Sequence, residues 1–193
     1  MPSEVAAQFD PLFKEILWLT SKWSEFNKLY AADKETIELI NRSAGYFFVI
    51  VQDTMWDDLL LHLARLSGPE KSMGKANLSI FQIATTVEIE PLKTKLKTML
   101  KERDTVFSFT DDHRNKRLAH HDLGVAIEGV SSIPGSSRLQ IRKAIEFLQK
   151  FASAIYEHYA DTTFVWNNLH NTHDANRLLS ILRRFEARPG SER

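Results

Sequence analysis

The stretch NRSAGYFFVIVQDTMWDDLLLHLARLSGP at residues 41–69 decides the fold. Apolar side chains recur through it at steps of three and four residues, which is the spacing of one face of an α-helix. The series is Ile40, Ala44, Phe47, Val51, Met55, Leu59, Leu63 and Leu66. Asp33 is expected to cap this helix near Lys34, and the run Ser67-Gly68-Pro69 is expected to end it. The pattern predicts one long amphipathic helix.

Other segments carry the same helical period. The apolar spacing predicts helices over residues 11–31, from about Ser137 to Tyr159, and from about His173 to Ala187. Residues 90–104 are rich in Lys and Leu and open with Pro91 at a first-turn position, which also favours a helix. No segment alternates with a period of two, so no sheet is expected. The sequence predicts an all-α antiparallel helical bundle over residues 1–165 and a C-terminal helical extension over 166–193.

Composition excludes several classes of protein. The chain has 193 residues and no cysteine, which excludes disulfide scaffolds, thiol catalysis and cysteine-based zinc sites. A chain of this length buries enough surface to fold without a structural metal. The start of the chain lacks the features of a signal peptide, and the longest apolar stretch, residues 44–51, is too short to cross a bilayer. These observations predict a soluble cytoplasmic protein.

The neutral formal charge hides an uneven distribution. Residues 1–90 carry 8 basic and 13 acidic side chains, whereas residues 91–193 carry 17 basic and 12 acidic ones. Within the second half, residues 91–121 hold eight basic and four acidic side chains. The neutral total argues against binding nucleic acid by bulk charge, whereas the basic stretch at residues 91–121 leaves a local surface for an anionic partner. The alternative interpretation is a solvated helix face.

The string DDHRNKRLAHHD at residues 111–122 carries the most chemistry. Arg114 and Arg117 are permanent cations that suit a phosphate, and Asn115 can orient a phosphate oxygen. His120 and His121 exchange protons near neutral pH. These groups are the parts needed to cleave RNA without a metal: a base, an acid and a cation beside the phosphorus. One copy of the string supplies too few of them, whereas two copies facing each other in a dimer supply enough.

The motif and its context resemble the HEPN superfamily, whose signature is an Arg, four to six intervening residues and a His. Arg114, Asn115 and His120 match that signature. The long-helix phrase at residues 41–69, RNKRLAHHD at 114–122 and EHYADTT at 157–163 are similar to the abortive-infection U-type branch. The resemblance covers roughly residues 5–165.

The resemblance implies a helical homodimer in which paired motifs line a cleft and act on RNA. It implies that Arg114 and His120 act on RNA phosphates, so these two residues, with Asn115 in support, are expected to be catalytic. Lys116, Arg117 and His121 lie in the same basic string and are expected to bind RNA. Many relatives are metal-independent endoribonucleases of defence and toxin–antitoxin systems, so an antitoxin or a nucleotidyltransferase is a candidate partner, and no cofactor is expected. Some relatives carry a modified Tyr two residues after the His, where this chain has Asp122. Other relatives are non-catalytic interaction or nucleotide-binding modules, which is the alternative function.

Which histidine acts is open from geometry alone. On an unbroken helix, a residue seven positions after Arg114 lies almost in line with it, which favours His121, whereas the family pattern favours His120. Arg114 has a structural alternative as an ion-pair partner of Asp111, Asp112 or an acidic residue on the long helix. A metal site built from the neighbouring histidines and aspartates is a further alternative, but their spacing fits no standard site, so no metal is expected.

Two further groups of side chains are assigned from the long helix. The aromatic residues Tyr46, Phe47 and Phe48 with Trp56 are expected in the core and at a dimer interface. Asp53, Asp57 and Asp58 share the same helix, and one of them is a candidate to orient Arg114 or His120.

Overall fold

A computed structural model describes residues 1–113, 136–166 and 172–187. The elements in chain order are α1 (Ser3–Tyr30), α2 (Lys34–Leu66), β1 (Lys71–Ser72), β2 (Lys75–Ala76), α3 (Ile80–Thr86), α4 (Leu92–Leu100), α5 (Arg103–His113), α6 (Arg138–Ala160) and α7 (Ala175–Glu186). The described part of the chain is a helical bundle, which confirms the all-α prediction.

The long helix α2 begins and ends where its sequence predicts. Asp33 accepts a hydrogen bond from the Thr36 backbone N–H at 2.8 Å, so it is the expected N-cap. The chain leaves the helix at Ser67, whose hydroxyl donates to the Leu63 carbonyl at 2.8 Å. The Leu63 carbonyl also accepts from the Ser67 backbone N–H at 3.0 Å, so Ser67 makes two hydrogen bonds to it at the end of the helix.

The predicted apolar stripe on α2 is correct at its two ends and wrong in its middle. Ile40, Leu59 and Leu63 are buried, whereas Ala44 and Phe47 are exposed. Ala44 has φ −163° and ψ 59°, so the helix is kinked at this residue and its two halves do not share one continuous face. Apolar periodicity identifies a helix face, but it does not distinguish a core face from one that is left exposed.

The segment between α2 and α6 is more divided than its sequence suggests. The expected helix over residues 90–104 is α4, which ends at Leu100, and a short turn at Lys101 and Glu102 separates it from α5. A two-residue antiparallel hairpin, β1 with β2, lies in the expected loop after α2. Gly74, with φ 78°, lies in the turn of that hairpin, where a left-handed backbone favours glycine.

Helix α6 begins with a complete capping box. The Ser137 hydroxyl accepts a hydrogen bond from the Gln140 backbone N–H, and the Gln140 side chain accepts one from the Ser137 backbone N–H. Its inner face includes Ile141, Leu148 and Phe151, all fully buried. The helix therefore starts and packs as predicted from Ser137 onward.

Two apolar clusters hold the helices together. The larger cluster joins α1, the second half of α2, α3, α4, α5 and α6. The smaller one packs α7 against α1 and the first half of α2, through Leu29, Leu39, Ile40, Phe48 and Leu179 among others. Among the described residues, α1 and α7 cover one side of the first half of α2, and much of its outer surface is exposed.

Candidate functional site

The predicted motif begins at the residue that follows α5. Arg114, Asn115 and His120, expected to be catalytic, and Lys116, Arg117 and His121, expected to bind RNA, all lie outside the described residues. Their assignments stay predictions. The structure instead shows the framework from which the motif extends, which consists of α5, the adjoining end of α2 and the helices packed around them.

Helix α5 is fixed on the bundle by a deeply buried aromatic residue. Phe107 is fully buried, and its ring meets that of Phe147 on α6 edge to face, with centroids 5.4 Å apart. One turn later, Thr110 is also fully buried, and its hydroxyl donates to the Phe107 carbonyl at 2.8 Å. The helix that leads into the motif is therefore anchored in the main apolar cluster.

An arginine joins three parts of this framework. Arg103 Nε donates to the Ser67 carbonyl at 2.8 Å, which ties the start of α5 to the end of α2. Its two terminal nitrogens donate to the two carboxylate oxygens of Asp111 at 2.7 and 3.1 Å. Burial alone would lower the pKa of the Arg103 guanidinium, but the hydrogen bonds and attraction from Asp111 and Asp104 outweigh burial and raise that pKa.

The Arg103–Asp111 ion pair reduces the positive charge that the basic stretch at residues 91–121 presents to solvent. Arg103 was counted in the basic stretch, yet its side chain is only 11% exposed and its charge is matched by Asp111. Asp111 was also a candidate ion-pair partner of Arg114, but both of its oxygens already accept hydrogen bonds from Arg103. The bidentate geometry is the arrangement that guanidinium and carboxylate groups favour.

Helix α5 leads away from the end of α2. Arg103 lies against Ser67, just past the end of α2 at Leu66, and α5 packs along α2. Because α5 starts beside the end of α2 and packs against it, its C-terminal end points away from Ser67.

A cavity of about 510 Å³ lies beside this framework. Its lining includes Phe81, Arg103 and the carboxylates of Glu70, Asp104 and Asp111. Among the described lining residues, three carboxylates face one cation that is already paired, and this balance does not favour a phosphate group.

Lysines on α4 and directly after it belong to the described part of the basic stretch. Lys93, Lys97 and Lys101 follow one another at steps of four residues and lie along one side of the helix. Lys97 and Lys101 are exposed, and Lys93 is half-buried. This row precedes α5 directly in the chain and presents positive charge to solvent.

A buried histidine on α2 was not identified from the sequence. His62 is 2% exposed, and its Nε2 lies 2.8 Å from Glu15 Oε2 on α1, but neither ring nitrogen has hydrogen-bond geometry with any described residue. Burial, with the nearby charges of Lys22 and Arg65, lowers the pKa of His62 to about 4, against the opposing effect of Glu15 and Asp58. His62 is therefore neutral at physiological pH.

The three aspartates of α2 differ in their surroundings. Asp58 pairs with Lys22 on α1, which makes it part of the polar cluster beside His62. Asp53 is exposed, and Asp57 is half-buried. That one of the three orients Arg114 or His120 stays a prediction, because the motif lies outside the described residues.

The aromatic run on α2 divides between core and surface. Phe48 is 6% exposed and belongs to the smaller apolar cluster, and Trp56 packs against the larger one, as the core assignment predicted. Tyr46 and Phe47 are 83% and 59% exposed in the single chain, so the core assignment is wrong for them. Their expected place at a dimer interface stays a prediction.

Neither a metal cluster nor a membrane span is found in the described ranges. No three His, Asp or Glu side chains within residues 1–113, 136–166 and 172–187 converge as metal ligands. Over the same ranges, every helix is too short or too polar to cross a bilayer.

Comparison with known proteins agrees with the resemblance drawn from the motif. A family model of HEPN domains, described as AbiU2, matches residues 2–178 and so includes the motif, the bundle and the start of α7. No curated protein and no solved structure matches the chain. Because the family model covers most of the 193 residues, the chain belongs to the AbiU2 family of HEPN domains.

Proposed function

We propose that this chain is a homodimeric, metal-independent endoribonuclease of a defence or toxin–antitoxin system. The observation that carries the proposal is the family match, because it spans Arg114, Asn115 and His120 together with the helices on both sides of them. The dimer supplies two copies of each group to one cleft, as a reaction that needs both a base and an acid requires.

Each residue has a role in the reaction. One His120 takes the proton of the ribose 2′-hydroxyl, whose oxygen attacks the phosphorus. Arg114 stabilises the added negative charge on the phosphate oxygens, and Asn115 orients one of them. The His120 of the second copy protonates the departing 5′-oxygen as its bond to phosphorus breaks. The products are a 2′,3′-cyclic phosphate and a 5′-hydroxyl.

The described framework supports this proposal in two ways. Phe107 and the Arg103–Asp111 pair fix α5 on the bundle, so the chain enters the motif from a rigid support, as a catalytic constellation needs. The row of lysines on α4 places exposed positive charge close in sequence to the motif, which suits an RNA backbone. Lys116, Arg117 and His121 would continue that basic surface.

The alternative is a non-catalytic HEPN module that binds a nucleotide or a protein partner. Such a module keeps Arg114 and His120 as a polar cluster and does not cleave RNA. An antitoxin or a nucleotidyltransferase is the kind of partner that this alternative and the catalytic proposal share. Cleavage itself separates the two functions.

The decisive assay incubates the purified protein with single-stranded RNA in EDTA. The wild type is expected to cleave, and Arg114→Ala and His120→Ala are each expected to slow cleavage by at least about 100-fold. Arg142→Ala with His158→Ala is the matched control, because both residues are exposed on α6 and lie outside the motif. Cleavage that persists in both motif variants, or that stops in EDTA, contradicts the proposal.

RNA binding is tested separately from catalysis. Lys116→Ala with Arg117→Ala is expected to raise KM for RNA and to reduce the salt dependence of binding, because fewer phosphate charges are then neutralised. The catalytic rate at saturating RNA should change less than KM. An unchanged KM with a reduced rate would move these two residues from binding to chemistry.

A further inference from the structure

A cavity of about 540 Å³, the α4–α6 cavity, lies between those two helices and is separate from the cavity beside Arg103. Its described lining side chains come from α4, from the second half of α6 and from Trp166, which follows α6 in the chain. None of these lining residues belongs to the string at residues 111–122. The volume is within the range of pockets that bind small organic ligands.

Part of the lining of the α4–α6 cavity is apolar. Ala154 is buried, and Met99 and Trp166 are half-buried. The Trp166 indole N–H donates to the Ser153 hydroxyl at 2.9 Å, and the Trp166 ring packs against that of Phe13, with centroids 5.2 Å apart. These contacts fix the indole at the edge of the cavity. A fixed indole beside a thioether offers a surface on which a flat aromatic group can pack.

Two lysines that are far apart in the sequence line this same cavity. Lys95 lies on α4 and Lys150 on α6, and both are exposed. Neither lysine forms an ion pair with another of the described residues, in contrast to Arg103, the cation of the other cavity, which is paired with Asp111. Two ammonium groups without carboxylate partners, on opposite helices, suit the phosphates of a nucleic-acid strand.

The other charged and amide groups of the α4–α6 cavity accept hydrogen bonds. Glu146 and Glu157 contribute carboxylates. The side-chain NH2 of Gln149 donates to the Thr20 hydroxyl at 3.0 Å, so the Gln149 carbonyl oxygen is the atom left to bind a ligand. Such oxygens accept hydrogen bonds from amino groups, such as N4 of cytosine. The cavity therefore suits a ligand with both anionic oxygens and amino groups, rather than inorganic phosphate.

We propose that the α4–α6 cavity binds one nucleotide of an RNA strand, outside the motif at which the strand is cleaved. The base packs on Met99 and Trp166, and its amino group donates to the carboxylates. Lys95 and Lys150 bind the phosphates on the two sides of this nucleotide. The inference rests on the proposed function, since it takes RNA as the substrate, and it adds a preference for cytosine over uracil, which lacks the amino group.

The first test measures RNA binding without cleavage. Fluorescence anisotropy gives the Kd of a labelled oligocytidylate for the chain with Arg114→Ala and His120→Ala. Adding Lys95→Ala with Lys150→Ala is expected to raise this Kd by at least about fivefold and to reduce its salt dependence.

The matched control for this test is Lys71→Ala with Lys75→Ala. It removes the same charge from the exposed hairpin, which is not part of the cavity. Because all four lysines are exposed, none of these substitutions disturbs the apolar core. An equal rise in Kd from the two pairs overturns the proposal, since it would reflect net charge alone.

The base is tested through tryptophan fluorescence and sequence preference. Oligocytidylate is expected to quench the fluorescence of the chain, and the quenching should be lost in Trp166→Phe but not in Trp18→Phe, which changes an exposed indole on α1. Oligouridylate should bind several-fold more weakly than oligocytidylate. Equal affinity for the two oligomers, or quenching that survives in Trp166→Phe, overturns the proposed site.

Free cytidine monophosphate distinguishes a strand from a single nucleotide. It offers one phosphate to the two lysines, so it should bind more weakly than oligocytidylate. Equal affinity for the two would mean that the cavity takes a free nucleotide, which overturns the assignment to RNA.

Cleavage kinetics separate this site from the proposed activity. Lys95→Ala with Lys150→Ala should raise KM for RNA cleavage and change kcat less. Cleavage by the wild type with a KM that does not depend on the two lysines overturns the site and leaves the ribonuclease proposal intact. A Kd that depends on the two lysines, together with no cleavage by the wild type, supports the site and overturns the catalytic proposal.

Discussion

Arg103 and Asp111 lie two helical turns apart on α5 and are joined by two parallel hydrogen bonds of 2.7 and 3.1 Å. The same guanidinium donates to the Ser67 carbonyl at the end of α2. One side chain therefore links the end of the long helix with both ends of the helix that leads into the motif. This link is a structural reason for the motif to have a defined position on the bundle.

Asp111→Asn tests that link. The variant removes the negative charge that pairs with Arg103. Because the Arg103 side chain is only 11% exposed, we expect the free energy of unfolding to fall by about 2 kcal/mol. RNA cleavage should fall as well, because the end of α5 is held less firmly. Chemical denaturation measures the first effect and the initial rate measures the second.

Asp104→Asn is the control for this prediction. Asp104 also accepts a hydrogen bond from Arg103, at 3.1 Å, but its side chain is 92% exposed. An exposed ion pair contributes little to the free energy of unfolding, so this free energy and the initial rate of RNA cleavage should both stay close to wild type. Equal effects from the two variants would show that the Arg103–Asp111 pair has no special role.

The buried His62 makes the free energy of unfolding depend on pH. The pKa of His62 is about 4 in the folded chain, below the ordinary value of 6.5, because burial disfavours its charged form. The unfolded chain therefore binds this proton first as pH falls. Above about pH 6.5 the titration of His62 does not reduce the free energy of unfolding. As pH falls toward 4 that free energy decreases, by roughly 2 kcal/mol at pH 4.5.

His62→Gln removes this titration and serves as the comparison. The wild type should lose roughly 2 kcal/mol more than the variant when its free energy of unfolding is measured at pH 7.5 and then at pH 4.5. Carboxylates distant from His62 titrate alike in both proteins, so their contribution cancels in the difference. Parallel pH profiles would mean that His62 is not held neutral by burial.

The start of α7 is fixed to α1 by a small group of charged residues. Asp174 caps α7 and accepts a hydrogen bond from Lys28 Nζ at 2.7 Å, while Glu25 accepts one from the Ala175 backbone N–H at 2.6 Å. Pairing with Lys28 lowers the pKa of Asp174. Asp174→Ala should therefore loosen α7 more than it loosens the rest of the bundle.

Hydrogen exchange measures this local loosening. Amides of residues 175–186 should exchange several-fold faster in Asp174→Ala, while those of α6 should be unchanged. Asn176→Ala is the control, since Asn176 is exposed in the first turn of the same helix. A uniform increase over all helices would contradict a role confined to α7.

The sequence contained enough information to predict the long helices and two of their caps, but not the short helix α3 or the separate helix α5. Asp33 and Ser137 are capping residues of ordinary type, and each caps a helix as expected. The exposure of Phe47 was not predictable, because the spacing of apolar residues is the same on a core face and on an interface. The short hairpin after α2 was missed because strands of two residues show no alternation.

The framework around the motif was harder to predict than the fold. Arg103 reaches Asp111 across two turns, beyond the three- and four-residue pairs that sequence rules cover. His62 lies among leucines on α2, and its burial depends on α1 packing over it, which no local pattern indicates. The motif itself could be identified from the sequence, because it is defined by residue types and their spacing.

Analysis of the RNA ends tests the central claim most directly. Wild-type protein in EDTA should convert single-stranded RNA to fragments with a 2′,3′-cyclic phosphate and a 5′-hydroxyl, and Arg114→Ala with His120→Ala should leave the RNA intact. Absence of cleavage by the wild type, fragments with a 3′-hydroxyl, or cleavage that survives in the double variant would contradict the account.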